Sequence, residues 1–266
     1  TPRLQFLFVK ALSHQEDQHP KMKIYSYGVI DSNDKIDESI PGADGVRIYN
    51  LPYRDIGMVV SRSNKPVREA SHTGSLGHNI VVEHLMKRFT VLPVRVRTLL
   101  RKEDIMAMME GHYYDFREDL ERLRNKVEFG VKVIWQEDQV RDRLTSEYGK
   151  GMYGMLRAYD SKGKRFIEEV FEKYVIEKEF REMADIFIAI VDNFLDRFAS
   201  EKRLEKLKGK ALLLKAFYLV EKGRQKDFRE AFEVFRIAPG GFNYLLRGPL
   251  PPYDFVRIEC REGATL

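Results

Sequence analysis

The sequence contains a single cysteine, Cys260, so no disulfide can form within the chain. Unpaired thiols are typical of reducing compartments, and we therefore expect a cytoplasmic protein. Long apolar runs are also lacking, because no stretch approaches the roughly 20 residues that a membrane-spanning helix needs. The N-terminal LQFLFVKAL is short and runs into polar residues. We expect it to be neither a signal peptide nor an anchor.

Motifs that carry catalysis or bind metals are absent as well. His78 and His84 lie six residues apart on one predicted helix, which leaves their side chains about 120° apart. GKGMYG lacks the spacing of a phosphate-binding loop, and no G-x-S-x-G elbow occurs. The carboxylates fall on charged helical faces, where they pair with basic neighbours. We therefore predict no catalytic residues, no metal and no cofactor.

A strong excess of one charge is missing too. The chain has 46 basic and 41 acidic residues, and its net charge is +5. This balance permits an acidic partner without identifying one. Two alternatives follow from local patterns. GSLGH at 74–78, with Arg95, would form an anion pocket of a small-molecule enzyme, and Tyr25 with Tyr27 would stack bases on an RNA-binding sheet.

What the sequence does contain is the pattern of two α+β domains in 266 residues. The first half has the order strand, hairpin, helix, strand, helix, which predicts an antiparallel sheet covered on one face by helices in a modified ferredoxin-like arrangement. The predicted strands are 22–30, 46–51, 56–62 and 91–96, and the predicted helices begin near Ser75 and span 105–123.

The second half opens with VEFGVKVIW at 127–135, where apolar residues alternate with other residues as in a half-buried strand. Two helices are predicted at 160–181 and 183–199. The second carries a wide apolar stripe, which either packs within a helical hairpin or stays partly available to a partner helix. The remaining elements are a basic connection at 201–210, a central strand ALLLKAFYLVEKG, a helix DFREAFEVFR and a strand FNYLL.

The chain closes with RGPLPPYDFV at 247–256, which contains Pro249, Pro251 and Pro252. Proline fixes φ and lacks a backbone donor, so we expect this segment to leave the sheet and run as an extended strip. Tyr253 and Phe255 would anchor it. The strip is interpreted either as a clamp that joins the two domains or as a direct contact for a partner.

These patterns predict an α+β fold with four parts. An N-terminal arm covers 1–21, a ferredoxin-like α+β domain covers 22–125, and an α+β domain with a helical hairpin insertion covers 126–247. A Pro-rich C-terminal tail covers 248–266.

Taken together in this order, YSYGVI, LPYRDIGMVVS, HNIVVEHLM, VLPVRV, VEFGVKVIW and RGPLPPYDFV resemble the GvpF/GvpL family of gas vesicle proteins. The resemblance covers residues 22 to 256. The chain departs from the family pattern at three places. Val96, Arg97 and Thr98 stand where the family carries Phe-Gly-Thr, Arg247 replaces a threonine, and Leu250 replaces a tryptophan.

The resemblance implies a non-enzymatic accessory or minor structural protein of gas vesicle assembly, found in the cytoplasm and at the vesicle. It implies two kinds of partner, the very hydrophobic shell-forming subunit of GvpA type and other accessory proteins, with no nucleic acid and no membrane. Such a subunit has a large apolar face that a helper could cover with a sheet edge or a groove. VLPVRV and FNYLL are the candidate edges. Candidate residues for partner binding or for the domain clamp are Arg95, Lys132, Arg247, Pro249, Pro252, Tyr253 and Phe255.

Overall fold

The computed structural model shows two sheets with helices packed on them, which confirms the predicted α+β class. The structure describes residues 24–36, 42, 45–62, 72–96, 98–135, 142, 146, 161–170, 177–206, 212–236 and 242–257. The predicted arm at 1–21, GKGMYG and Cys260 lie outside these residues. The described chain divides into two compact units: the first runs up to Val127 and resumes at Leu250, and the second is Glu128–Pro249. The predicted domain boundaries stay a prediction.

The described residues of the first unit form five strands and three helices. In chain order they are β1 Ile24–Ile30, β2 Ile48–Tyr53, β3 Ile56–Arg62, α1 His72–Leu85, β4 Val91–Pro93, β5 Leu99–Leu100, α2 Lys102–Gly111 and α3 Tyr113–Leu123.

The first sheet has the strand order β2-β3-β1-β4, and β5 also pairs with β1. All of these pairings are antiparallel. β1 and β3 are buried at nearly every position. Successive side chains of a strand point to opposite faces, so both faces are covered at these strands. The expectation that helices cover one face of this sheet concerns what lies on each face, and burial alone does not test it.

The helix predicted over 105–123 is two helices. His112 separates α2 from α3 with non-helical backbone angles, φ −116° and ψ 21°. Its Nδ1 lies 3.1 Å from Asp115 Oδ2, so its side chain contacts a surface carboxylate. Ile105, Met109 and Phe116 are buried on the two sides of this break. The hydrophobic spacing continues across it, which explains why the sequence predicts one helix.

In the second unit, seven elements can be given bounds from the described residues. They are β6 Lys126–Trp135, α4 Ser161–Val170, α5 Glu177–Leu195, β7 Glu201–Lys206, β8 Leu212–Glu221, α6 Gln225–Arg236 and β9 Phe242–Leu250. Since α5 begins at Glu177, the boundary predicted near residue 182 is wrong. Short 3-10 turns follow α5 at Asp196–Phe198 and precede α6 at Lys222–Arg224.

The second sheet has the strand order β7-β8-β6-β9. The prediction that ALLLKAFYLVEKG forms a central strand is confirmed by β8, where Leu214 and Ala216–Val220 are buried. The prediction of a solvated connection at 201–210 is wrong for Glu201–Lys206, which pairs antiparallel with β8. Charged residues are tolerated there because β7 is an edge strand whose charged groups find partners, as Lys202 does in Asp192 and Glu205 does in Lys215.

The proline-rich end also differs from its prediction. β9 extends through Pro249 to Leu250, so Pro249 lies inside a strand. An edge strand accommodates proline because one row of its backbone N–H groups has no neighbour to bond. Beyond it, the Tyr253 N–H lies 2.8 Å from the Pro251 carbonyl oxygen, and the Phe255 N–H is bonded to the Pro252 carbonyl. Residues 253–255 therefore form a turn where an extended strip was expected.

Candidate functional site

The residues predicted from sequence for partner binding or the clamp fall into two groups. Those in the first unit are Arg95, Pro252, Tyr253 and Phe255, and those in the second are Lys132, Arg247 and Pro249. Each group is described within its own unit, and the roles of these residues stay predictions.

The C-terminal segment Pro251–Arg257, here called the tail, packs on the first unit. Phe255 is 5% exposed and Pro252 is buried. Asp119 on α3 is 4% exposed and lies 2.8 Å from Arg122 Nη2. Arg122 also donates to the Phe255 carbonyl, and the Arg257 N–H donates to the second Asp119 oxygen. The buried ion pair thus finds its remaining hydrogen-bond partners in the tail backbone.

Tyr253 contacts α1 within the same unit. Its hydroxyl lies 3.3 Å from Asn79 Oδ1, and its ring centroid lies 6.4 Å from that of His78. His78 in turn stacks on Tyr27 at 5.4 Å. The tail therefore joins an aromatic group that reaches strand β1.

The His78 ring is completely buried and held by two hydrogen bonds. Nε2 lies 3.1 Å from the Val94 carbonyl oxygen. A carbonyl can only accept, so Nε2 carries the proton and the neutral Nδ1 accepts from the Tyr25 hydroxyl 3.1 Å away. Burial lowers the pKa of His78 to about 4. The residue is therefore a neutral structural link.

The residues named for the enzyme alternative make other contacts in the described part of the chain. Arg95 is exposed, and its carbonyl accepts from Thr98 Oγ1 at 2.6 Å. His78 has its partners within the protein. A surface depression of about 310 Å³ lies along α4, and its described lining residues are Lys162, Arg165, Phe166 and Glu169. Among the described residues, no group of three or more His, Cys, Asp or Glu side chains is placed to hold a metal.

The RNA alternative depended on Tyr25 and Tyr27 presenting an open face. The two rings do lie side by side, with centroids 4.9 Å apart. However, Tyr27 is fully buried and its ring is covered by His78. This face is therefore not open for base stacking.

The second group of predicted residues lies on the second sheet. Lys132 is half-buried on β6, while Arg247 and Pro249 are exposed on β9. Exposed and half-buried side chains alternate along β9, and Leu245 is 47% exposed. FNYLL is therefore confirmed as an edge with apolar surface. VLPVRV contributes only the three residues of β4 to the edge of the first sheet.

The opposite edge of the second sheet has a different character. β7 reads EKRLEK, and Leu204 is its sole apolar side chain, 37% exposed. Lys202 lies 2.8 Å from Asp192 and 3.2 Å from Asp196, and these hydrogen bonds raise its pKa. Charged side chains on an edge oppose pairing with another strand. Of the two edges, β9 carries fewer charged side chains.

Helix α5 exposes part of its apolar stripe. Val191 and Leu195 are buried, with exposures of 1% and 0%. Ile186 and Ile190, four residues apart, are 63% and 53% exposed. The stripe thus serves the core on one side and presents two isoleucines to solvent on the other, so part of it is available to a partner.

One cluster in the first unit escapes sequence reasoning. The β2–β3 loop and the start of α3 bring Tyr53, Arg54 and Asp55 against Tyr113, Tyr114 and Arg117. The Arg54 guanidinium carbon lies 4.5 Å from the Tyr113 ring centroid and 5.4 Å from that of Tyr53. A hydrogen bond to Tyr114 raises the pKa of Arg54. We call this group the tyrosine–arginine cluster.

Asp55 ties this cluster together. Its Oδ1 accepts from the Tyr113 hydroxyl at 2.6 Å, and its Oδ2 pairs with Arg117. The hydrogen bond from Tyr113 and the charge of Arg117 lower the pKa of Asp55. About 60 residues of sequence separate the two halves of the cluster, and no periodic pattern links them. The sequence places one half of the cluster in the connection between the strands predicted at 46–51 and 56–62.

A model of the family described as gas vesicle synthesis protein GvpL/GvpF matches residues 23–257. Gas vesicle protein F of Haloferax mediterranei is 26% identical over 242 residues, which cover 89% of this chain and 94% of that protein. Gas vesicle protein F1 of Halobacterium salinarum is 23% identical over 244 residues, with coverage of 89% and 93%.

Two crystal structures share the fold. Gas vesicle protein GvpF from Anabaena sp. PCC7120 superposes with a TM-score of 0.75 at 17% identity, covering 90% of this chain and 99% of that one. GvpF from Microcystis aeruginosa gives a TM-score of 0.73 at 16% identity, with coverage of 89% and 100%. None of the helices in the described part of the chain has the length and hydropathy that crossing a bilayer requires.

Proposed function

The chain belongs to the gas vesicle synthesis protein GvpL/GvpF family, which gives it an accessory role in gas vesicles, and we propose that it binds the hydrophobic shell-forming subunit during vesicle formation. The observation that carries this proposal is the family match, which spans residues 23–257. In this proposal the chain catalyses no reaction and works in the cytoplasm and at the vesicle.

The physical need for such a protein lies in the shell. A wall that keeps water out of a gas space requires subunits with a large apolar face. Before assembly, that face and any unpaired strand promote aggregation. A helper that covers the face and later releases it keeps the subunit available for the growing wall.

Strand β9 is the surface we assign to this task. An edge strand offers unpaired backbone groups to an added strand, and alternate side chains give the contact its specificity. Leu245 and Arg247 face outward on β9, while β7 at the other edge is charged. The exposed Ile186 and Ile190 of α5 supply a separate apolar surface, which we assign to other accessory proteins.

Co-expression of the full chain with the shell-forming subunit tests both the function and the surface. We expect the unmodified chain to keep the subunit in solution and to co-purify with it. Leu245→Lys places a charge on the β9 edge and should lower the amount of co-purified subunit at least about tenfold.

Leu204→Lys is the matched control, because it makes the same change at the β7 edge and should leave the complex intact. If both variants retain the subunit equally, β9 is not the contact. If the unmodified chain neither binds nor solubilises the subunit, the proposed function itself is wrong.

A further inference from the structure

The tyrosine–arginine cluster has the composition of a binding hot spot, since tyrosine and arginine dominate the energetics of protein interfaces. Tyr114 is 76% exposed, and the Tyr113 and Tyr114 ring centroids lie 5.1 Å apart. The Tyr53 and Tyr113 rings meet edge to face at 5.9 Å. These contacts hold an aromatic surface in place before any partner arrives.

The two arginines of the cluster differ in their partners. The Asp55 carboxylate is taken by Arg117 and the Tyr113 hydroxyl. Arg54 lies over two rings, and within the described residues no carboxylate comes within ion-pairing distance of it. A guanidinium stacked on aromatic rings keeps its N–H donors in a fixed plane, which suits two parallel bonds to a carboxylate.

The backbone under Arg54 is also unusual. Arg54 has φ 53°, in the left-handed region that glycine and asparagine occupy most readily. Asn33 supports this conformation by donating to the Arg54 carbonyl oxygen at 2.7 Å. A residue in this backbone region whose guanidinium meets no carboxylate among the described residues suggests that the side chain is kept for a purpose other than stability.

We propose that the tyrosine–arginine cluster docks an acidic segment of a partner protein, with a partner carboxylate bound by Arg54 and an apolar neighbour packed on Tyr114. A protein segment fits better than nucleic acid, because a phosphate backbone is bound by several cations along a track. Here Arg117 is already paired and the exposed Asp115 and Glu118 lie close by, so the cluster suits a segment with one carboxylate, bound by Arg54, and disfavours a run of phosphates. The contact is independent of the β9 edge, which belongs to the other unit.

The test uses the full chain and a short probe, N-acetyl-Leu-Glu-Leu-amide, with its Gln counterpart as the uncharged control. The arginine Nε–Hε and backbone amide signals are followed by NMR during titration. We expect the Arg54 signal and the amides of the β2–β3 loop to shift with the Glu peptide, with a Kd on the order of millimolar. Arg88, which stacks on a single ring at 5.3 Å, should not respond.

Two variants separate binding from folding. Arg54→Gly suits the left-handed backbone, so it should keep or raise the melting temperature while weakening peptide binding at least about tenfold. Arg88→Gln is the matched control and should bind as the unmodified chain does. A purely structural Arg54 would instead lower the melting temperature when replaced by glycine.

Four outcomes would overturn the proposal. The Glu peptide fails to shift the Arg54 signal, or the Gln peptide shifts it equally. Arg54→Gly binds the Glu peptide as tightly as the unmodified chain. Finally, single-stranded oligothymidine binds more tightly than the Glu peptide with the same dependence on Arg54, which would make the cluster a nucleic-acid site.

Discussion

At the scale of single residues, His78 combines full burial with two hydrogen bonds that its neutral form satisfies. Protonation of Nδ1 would require the Tyr25 hydroxyl to turn from donor to acceptor and would leave a buried charge among Tyr25, Tyr27 and Tyr253. Such a charge is costly away from water. The protonation state of His78 therefore affects the packing of β1, α1 and the tail.

We predict that the stability of the first unit falls as the pH drops from 6.5 to about 4. The folded pKa of His78 is about 4 against 6.5 in the unfolded chain, so protons bind preferentially to the unfolded state in this window. The stabilisation from neutral His78 is fully present above pH 6.5, and about 3 kcal/mol of it is lost by about pH 4. Urea unfolding at a series of pH values measures this loss of unfolding free energy. Hydrogen exchange of the β1 amides at the same pH values shows whether the first unit is affected.

His78→Gln lacks the titrating group, so its stability should change less over the same pH range. His84→Gln is the control and should keep the full dependence. If His78→Gln retains the same loss of stability, another group is responsible.

Gly248 is a second residue whose identity is fixed by its surroundings. It has φ 134°, and an added Cβ would come within 2.6 Å of Phe129 Cδ1 and 2.8 Å of the Glu128 carbonyl oxygen. We predict that Gly248→Ala destabilises the second unit by roughly 2 kcal/mol or more, through backbone strain and overpacking.

Chemical denaturation followed by circular dichroism measures this effect. Gly223→Ala is the control, since nothing lies within 4 Å of its Cβ position, and it should change stability by less than about 0.5 kcal/mol. Equal effects of the two substitutions would show that Gly248 is not constrained.

At the scale of elements, the tail stabilises the first unit through Phe255 and two backbone hydrogen bonds to the Asp119–Arg122 pair. We predict that Phe255→Ala costs about 3 kcal/mol, because it removes a side chain that is 5% exposed. Limited proteolysis within Pro251–Arg257 and hydrogen exchange in α3 should both accelerate.

Phe166→Ala makes the same change at a site that is 65% exposed and serves as the control. Unchanged proteolysis and exchange in Phe255→Ala would exclude an anchoring role. Whether the tail also joins the two units stays a prediction.

Periodicity predicted well those elements whose apolar residues are buried by the packing around them. The bounds of β3 at 56–62 are confirmed, and β6 and β8 follow their apolar residues closely. β7 was missed because EKRLEK shows no alternation of apolar and polar residues. Its extended conformation is stabilised by backbone pairing with β8, which the sequence of β7 alone does not reveal. The break at His112 was missed because the buried residues on both sides keep a continuous helical spacing.

At the scale of the whole molecule, the α+β class followed from the order of elements, and the ordered motifs indicated the family. The tyrosine–arginine cluster and the contact between α3 and the tail could not be predicted from the sequence, because each depends on residues that are distant in sequence. Tyr53 and Tyr113 come from separate elements, and Asp119 meets Arg257 across 138 positions. A single sequence has no local pattern that indicates a contact between two residues so far apart in the chain.

The unequal edges of the second sheet limit how copies of this protein can join. Two copies that met through β9 would leave a charged β7 strand at each end of the joined sheet. Growth of this sheet would stop at that pair, since charged side chains on an edge oppose pairing with another strand. Self-association through β9 would therefore end with two copies and would not extend the second sheet into a fibre.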